Sequence, residues 1–395
     1  MDKQLQNIRI ARVSTVPFFV LTQLRTQLDA IIKAGANVSV VASDDPLSVQ
    51  VMQIEGCDYK PVYIARDIRL FADLLTLIKL WRLFRKQQFD IVHSTTPKAG
   101  LLCAIAAKLA GVPIRLHTYT GQAWVTMHGI KKNIVKGCDK LIAVLNTQCY
   151  ADGLSQKNFL ITNKVIVSKK ITVLGSGSLA GVDTKRFSQD NFSVADKDRT
   201  RTTLAIQSGS QVLLFVGRIT KEKGIFELIA AVHALLHKNL DIILLVIGPF
   251  EKGIEAEIRA HAQQLCGNKV IFAGFHSDPE RLISIADILC LPSYREGFGT
   301  VVIEAAAMGV PVVGTRIYGL TDAVVDGETG LLVEPKNSEQ LAAALERLIS
   351  NSQLKLSMGE RAKERATSEF DSKKCGDLLV GEYARLLAVS RQAKV

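Results

Sequence analysis

Short β-branched runs alternate with helical periodicities along almost the whole chain, and this alternation limits its possible folds more than any other feature. Residues 8–16 read as a strand, 21–33 as a helix and 38–42 as a short buried strand. Residues 91–93 and 114–117 follow as strands on either side of a helical pattern at 99–110, and 141–145 adds another strand. This order predicts parallel strands with helical crossovers, and so helices on both faces of a sheet. The rhythm breaks at Val173-Leu174-Gly175-Ser176-Gly177-Ser178 and Gly181-Val182-Asp183, and the sequence stays polar as far as Thr203. It then restarts, with strands expected at 212–216, 242–247, 270–273, 288–291, 312–313 and 331–333 and a helix at 225–236. From residue 338 the chain reads as helix to its end. The expected α/β architecture is two doubly wound Rossmann-like domains, 1–185 and 186–370, facing each other across a cleft. A C-terminal helix, 371–395, is expected to return to the first domain. Open sheets of this kind bind ligands beyond the carboxyl ends of their strands.

A chain of 395 residues, 48% hydrophobic, can bury two such cores. No apolar run is long and charge-free enough to cross a bilayer, and the start, Met1-Asp2-Lys3-Gln4, has no signal-peptide core. The seven cysteines (57, 103, 138, 149, 266, 290 and 375) are odd in number and form no Cys-x-x-Cys pair. Reduced thiols in a cytoplasmic protein are the expectation. The net charge of +11 is unevenly placed: residues 1–185 hold 24 Lys and Arg against 12 Asp and Glu, and the remainder is close to neutral. A basic half suits an anionic membrane surface or an anionic acceptor. Nucleic acid is not expected, because no recognised nucleic-acid motif is present.

Two clusters carry chemistry. After the strand at 212–216 come Gly217-Arg218-Ile219-Thr220-Lys221-Glu222-Lys223-Gly224 and then a helix. Two cations, Arg218 and Lys223, beside a helix start suit a diphosphate. Further on, Glu296 opens the glycine turn Gly297-Phe298-Gly299-Thr300, and Glu304 stands in an otherwise apolar run. A carboxylate there is costly unless a ligand hydroxyl or a cation meets it. Cations for phosphates and a carboxylate for sugar hydroxyls together describe a nucleotide-sugar pocket.

Glu296 and Glu304 match the Glu-x7-Glu motif, and Gly217-Arg218 with Lys223-Gly224 the Gly-Arg…Lys-Gly loop, of retaining family 4 glycosyltransferases of the two-Rossmann-domain (GT-B) type. The segments Leu174-Gly175-Ser176-Gly177, Gly181-Val182-Asp183 with Arg186-Phe187, and Glu328-Thr329-Gly330-Leu331-Leu332 resemble others of that family. The stretch Ser94-Thr95-Thr96-Pro97-Lys98-Ala99-Gly100 is similar to one in members that build bacterial surface polysaccharides. The resemblance implies roles. Arg218 and Lys223 would hold the leaving diphosphate, and Glu304 would bind the ribose. Glu296 and the amides of Gly297, Phe298, Gly299 and Thr300 would meet the donor sugar and phosphates. Phe275 falls where the family's base pocket is often built. His117 matches a histidine that reaches the donor sugar, and Thr120 replaces a second histidine; Lys98 and Thr120 lie on the acceptor side.

No metal and no separate cofactor are expected. The one Asp-x-Asp, Asp196-Lys197-Asp198, reads as a solvated helix start, and Arg218, Lys223 and a helix dipole can neutralise the diphosphate. A helix is expected at 68–86, with a narrow polar stripe (Arg69, Asp73, Thr76, Lys79, Arg82, Lys86) and a wide apolar surface facing either core or membrane. Lys131, Lys132 and Lys136 would add to a basic patch. The resulting reading is a hexosyl- or N-acetylhexosaminyltransferase, peripheral on the inner face of the cytoplasmic membrane. Its donor would be a UDP-sugar, and its acceptor a polyprenyl-diphosphate-linked or other surface glycan of the lipopolysaccharide or capsule kind. A nucleotide-sugar 2-epimerase and a catalytically silent nucleotide-sugar-binding scaffold are the alternatives. A nicotinamide dehydrogenase is disfavoured, because no Gly-x-Gly-x-x-Gly follows the first strand.

Overall fold

The computed structural model describes residues 4–65, 67 and 69–392. Residues 1–3, Ile68 at the start of one expected helix and 393–395 at the end of another lie outside the described residues. The strands are β1 (Arg9–Val13), β2 (Asn37–Ala42), β3 (Cys57–Pro61), β4 (Ile91–Thr95), β5 (Ile114–Tyr119), β6 (Gln148–Ala151), β7 (Ile171–Thr172), β8 (Gln211–Val216), β9 (Ile242–Ile247), β10 (Val270–Gly274), β11 (Ile288–Leu291), β12 (Val312–Thr315) and β13 (Gly330–Val333). The first helices are α1 (Pro17–Phe19), α2 (Arg25–Lys33), α3 (Ser48–Met52), α4 (Leu70–Gln87), α5 (Pro97–Leu109), α6 (Gly129–Leu145) and α7 (Leu154–Thr162). Then come α8 (Val194–Thr203), α9 (Ile225–Leu236), α10 (Glu255–Cys266), α11 (Pro279–Ile283), α12 (Thr300–Ala307), α13 (Leu320–Ala323), α14 (Ser338–Ile349), α15 (Ser352–Glu369) and α16 (Ser372–Gln392).

The chain divides into two compact units at Gly181/Val182 and again at Asp371/Ser372, so α16 belongs with the N-terminal residues. Val182 goes with the second unit because its N–H donates to the Phe370 carbonyl at 2.7 Å. Each unit is built on one all-parallel sheet, ordered β3-β2-β1-β4-β5-β6-β7 in the first and β10-β9-β8-β11-β12-β13 in the second. Both are doubly wound: strand order reverses beside β1 in one and beside β8 in the other, which are the positions where such sheets open a crevice.

In the first unit, Ile10, Val38 and Val40 face Leu28 and Ile31 of α2 and Leu379 of α16, while Ala11, Val13 and Val92 face Leu80, Phe84, Leu102 and Ala106 of α4 and α5. Arg12 shares the α2/α16 face and is fully buried. Its guanidinium donates to Gln27 Oε1 (2.7 Å), Tyr383 Oη (2.8 Å) and His93 Nδ1 (2.6 Å), all neutral acceptors. His93 is thus fixed as the Nε2–H tautomer, which donates to Thr118 Oγ1 at 2.8 Å. Burial and the adjacent Arg12 charge hold its pKa well below the ordinary histidine value. This cluster fastens α16 to the sheet.

Three expectations are corrected. Residues 141–145 are the end of α6, and the strand is β6. Ile142 and Ala143 are buried there while Leu141 and Val144 are exposed, a helical rather than a strand pattern. In α4, Thr76 lies inside, donating to the carbonyls of Tyr63 (2.7 Å) and Ala72 (2.8 Å), with Leu80 and Phe84 buried beside it. Leu70, Phe71, Leu74 and Leu75 of α4 are exposed. The helix from 338 is three helices, two of them started by the side chains of Asn337 and Asn351. Asp196 completes a capping box with Ser193 at the start of α8, remote in sequence from any strand end.

Packing is close where α5 crosses β5. A methyl group at Gly100 would stand 2.4 Å from the His117 Cε1 atom. Gly100→Ala should therefore destabilise the first unit by roughly 1–3 kcal/mol through overpacking, read as a lowered urea midpoint.

Candidate functional site

The donor-side residues collect at the carboxyl edge of the second sheet, where β8 and β11 lie side by side. The loop after β8 carries Gly217 and an exposed Arg218, turns through Lys221–Lys223, and enters α9 from Gly224. Gly224 has φ +70°, and a Cβ there would stand 2.1 Å from the Pro292 carbonyl oxygen, so only glycine lets this loop meet the one after β11. Four contacts zip the two loops together. Lys223 Nζ pairs with the Glu296 carboxylate. Arg295 Nη2 pairs with Glu222 at 2.9 Å, the Tyr294 N–H donates to the Glu222 carbonyl at 2.8 Å, and the Tyr294 hydroxyl donates to Glu227 at 2.5 Å. Burial and the neighbouring Glu227 push the Tyr294 phenol up. Glu296 also accepts from Ser293 Oγ at 2.8 Å, and the Ser293 carbonyl is held by Thr315 Oγ1.

Arg218 makes no hydrogen bond or ion pair among the described residues, so its charge is open to a ligand. Gly297 and Gly299 lead into α12, whose first residue is Thr300. Phe298 turns its ring into the core, edge-on to Phe370 at 5.2 Å, so it faces the turn with its backbone. Phe275 follows Gly274 at the end of β10 and is 61% exposed.

Glu304, in the second turn of α12, is half-buried and has no hydrogen-bond or ion-pair partner among the described residues. Burial pushes its carboxyl up to about 7, opposed by Arg186 and reinforced by Glu280. Arg186 is itself engaged, donating to Glu280 Oε2 (2.7 Å) and the Ser277 carbonyl (2.9 Å). An acid without a protein partner among the described residues is chemically able to accept from a ligand's hydroxyls.

In the first unit, His117 lies on β5, 1% exposed, with Nδ1 3.0 Å from Ser94 Oγ and its ring edge-on to Tyr119 at 4.8 Å. Burial takes its pKa down to about 3, so the imidazole is neutral at physiological pH. Thr120 follows β5 and is half-buried. Lys98, in the first turn of α5, pairs with Asp73 of α4 at 2.8 Å and donates to the Asp67 carbonyl. The turn after β1 meets that before α5 through the hydroxyls of Thr15 and Thr96, 2.7 Å apart. Ser293, Tyr294 and Glu227 were not singled out from sequence, and Arg186 was noted only within a family segment. Their partners lie up to 94 residues away, and no local spacing marks them.

Comparison with known proteins gives the family and the fold. Residues 196–365 match the model of glycosyl transferases group 1, and residues 20–151 that of a glycosyl transferase 4-like domain. A capsular polysaccharide biosynthesis glycosyltransferase, CapM, of Staphylococcus aureus is 33% identical over 93% of this chain and 94% of its own length. A UDP-Gal:alpha-D-GlcNAc-diphosphoundecaprenol alpha-1,3-galactosyltransferase of Escherichia coli is 26% identical over 81% of each. Among solved structures, Anabaena Alr3699/HepE in complex with UDP and glucose superposes with a TM-score of 0.80 at 19% identity, covering 96% of this chain and all of that one. The fold is thus the GT-B pairing of two Rossmann-like domains. The chain belongs to the group 1 glycosyltransferases.

The unpartnered carboxylate has a consequence for stability. Glu304 has a raised folded-state pKa, so the folded chain holds its proton more tightly than the unfolded chain does. That stabilisation is complete below about 4.5 and is lost as pH rises through about 7. Glu304→Gln should therefore be more stable than wild type at pH 8, by roughly 1–3 kcal/mol, and equal to it near the unfolded-state value. Paired urea titrations at the two pH values check this.

Proposed function

We propose that this glycosyltransferase moves a hexosyl or N-acetylhexosaminyl group from a UDP-sugar to a polyprenyl-diphosphate-linked or other surface-glycan acceptor. In this reading the transfer retains anomeric configuration, needs no metal, and takes place in the cytoplasm at an anionic membrane surface. The observation that carries the reading is the grouping of an open cation, Arg218, an ion-paired cation, Lys223, and an unpartnered acid, Glu304, in one unit. The names of two relatives support it: one acts in capsule formation, and the other takes UDP-Gal as donor and a diphosphoundecaprenol-linked sugar as acceptor.

The proposed chemistry is one of charge. The bond from the sugar's anomeric carbon to the diphosphate breaks, its electron pair leaves with UDP, and the carbon becomes oxocarbenium-like. The acceptor oxygen bonds to the same face and gives its proton to the departing phosphate. Arg218 and Lys223 stabilise the charge that develops on that phosphate. Lys223 must first exchange Glu296 for phosphate, which frees Glu296 to accept from the donor sugar. Glu304 accepts from the ribose, and Phe275 borders the base. His117, held uncharged and 1% exposed, acts in this reading through its neighbours at the end of β5 rather than by touching the sugar. Lys98 and Thr120 serve the acceptor.

A thermal-shift screen over nucleotides tests the donor. UDP at a hundred times its Kd should stabilise the protein by about 2.7 kcal/mol, and no response to any nucleotide would end the reading. Arg218→Ala should lower kcat by about 10²-fold with unchanged folding, and Lys223→Ala should lower it by a similar factor with some loss of stability from the unpaired Glu296. Glu296→Gln separates the exchange step: with Lys223 released it should bind inorganic pyrophosphate more tightly than wild type yet transfer more slowly. Equal pyrophosphate affinity would show that the ion pair does not compete with the donor.

A further inference from the structure

The helix that joins β5 to β6, α6, is anchored on one side only. Inward, Ile142 and Ala143 are buried, the Asp139 carboxylate accepts from Trp124 Nε1 at 2.7 Å, and the Lys136 ammonium lies 5.0 Å over the Trp124 ring. Outward, Ile130 (79% exposed), Ile134 (58%), Leu141 (41%) and Val144 (71%) form a line with Gly137 between them. These positions recur every three or four residues and so fall on one face. The line is about 21 Å long at 1.5 Å per residue. Asp139 is the one acid in α6, and it faces inward; Lys131 and Lys140 are exposed beside the stripe. The outer face is thus apolar along its centre, and the charges at its margins are all cationic.

We infer that this face of α6 is the element that seats the protein on an anionic lipid surface, with the Ile130–Val144 stripe entering the headgroup boundary and Lys131 and Lys140 meeting lipid phosphates. The inference rests on the membrane reading above. It differs from the sequence expectation, which placed the wide apolar surface on α4. There the C-terminal half is turned inward and only the first turns are open. The charge pattern selects the occupant. A second copy docked through the same stripe would bring lysine rows against each other across a two-fold axis, with no acid on the face to pair them. A neutral apolar partner would leave the lysines unused. An anionic bilayer uses both features, because apolar burial and the attraction of lysines to anionic lipid add on one surface.

Vesicle flotation of the full-length protein tests this, using phosphatidylcholine alone and phosphatidylcholine with phosphatidylglycerol. Wild type should float with the anionic vesicles, less so at high salt, and remain below with the neutral ones. Ile134→Ser/Leu141→Ser, both at exposed positions, should reduce the bound fraction about ten-fold or more. Val194→Ser, at a 76% exposed position in the second unit, should float as wild type does. Turnover of a short-chain, water-soluble acceptor diphosphate should be unchanged in the double variant. If wild type floats and the double variant floats equally, α6 is not the seat and the membrane reading stands without it. If wild type does not float, the membrane reading fails and the inference with it. A wild-type dimer made monomeric by the double variant in sedimentation, with flotation unaltered, would assign the stripe to self-association and overturn the proposal.

Discussion

The ion pair between Lys223 and Glu296 joins residues 73 positions apart, and the two loops at the carboxyl edge of the second sheet are organised around it. It forms because β8 and β11 are neighbours in the sheet although they are not consecutive, so the loops leaving them emerge side by side. Both partners are largely desolvated, at 23% and 12% side-chain exposure, and a pair so placed contributes less net stability than its Coulomb attraction suggests. Its value lies in position. It holds an ammonium group at the strand ends in a form that another anion can take over. Arg218 and Glu304, by contrast, have no partner among the described residues, and the half-buried Glu304 raises the folded-state free energy at neutral pH. Stability given up at these points is the expected mark of a binding edge rather than of a structural one.

Where a strand is buried on both faces of a parallel sheet, sequence and structure agree closely. Residues 242–247 and 288–291 read as strands and are strands over the same residues, because a continuous β-branched and aliphatic run between turn signals suits little else. The edge of the first sheet was harder to read. In β3 only Tyr59 is buried, so Cys57–Pro61 has no apolar run to detect, and β7 is two residues long. Residues 141–145 misled for the opposite reason. A run of five apolar residues reads as a buried strand by composition, yet it ends a helix that exposes two of them.

The site was legible to the extent that its chemistry is local. Lys223, Glu296 and Glu304 stand in short motifs with glycines at the turns, and the cost of an acid in an apolar helix can be argued from one segment. What could not be read is what tertiary packing adds. Lys98 reads from its segment as a free cation, but it is paired with Asp73 of a different helix and would have to exchange that partner to meet an acceptor. Phe298 stood within the glycine turn, but its ring fills the core against Phe370, a residue that only the end of α15 brings near. The neutrality of His117 follows from its depth beneath α5, and depth is not a property of spacing.

Burial also alters the charge that the first unit presents. Its formal excess counts every acid as an anion at the surface, but Asp139 and Asp152 are inside, and burial pushes their carboxyls up to about 6 and about 7. Asp152 is therefore substantially protonated at neutral pH. Asp73 is spent on Lys98. The buried cation, Arg12, consumes no acid, since its three acceptors are an amide, a phenol and an imidazole. With Asp152 partly neutralised, residues 1–185 carry slightly more net positive charge than the sequence count implies. Over a Debye length of about 10 Å the field of that charge acts on whatever faces the unit. An anionic surface or an anionic acceptor would be drawn to it, and the apolar line on α6 lies within the same field.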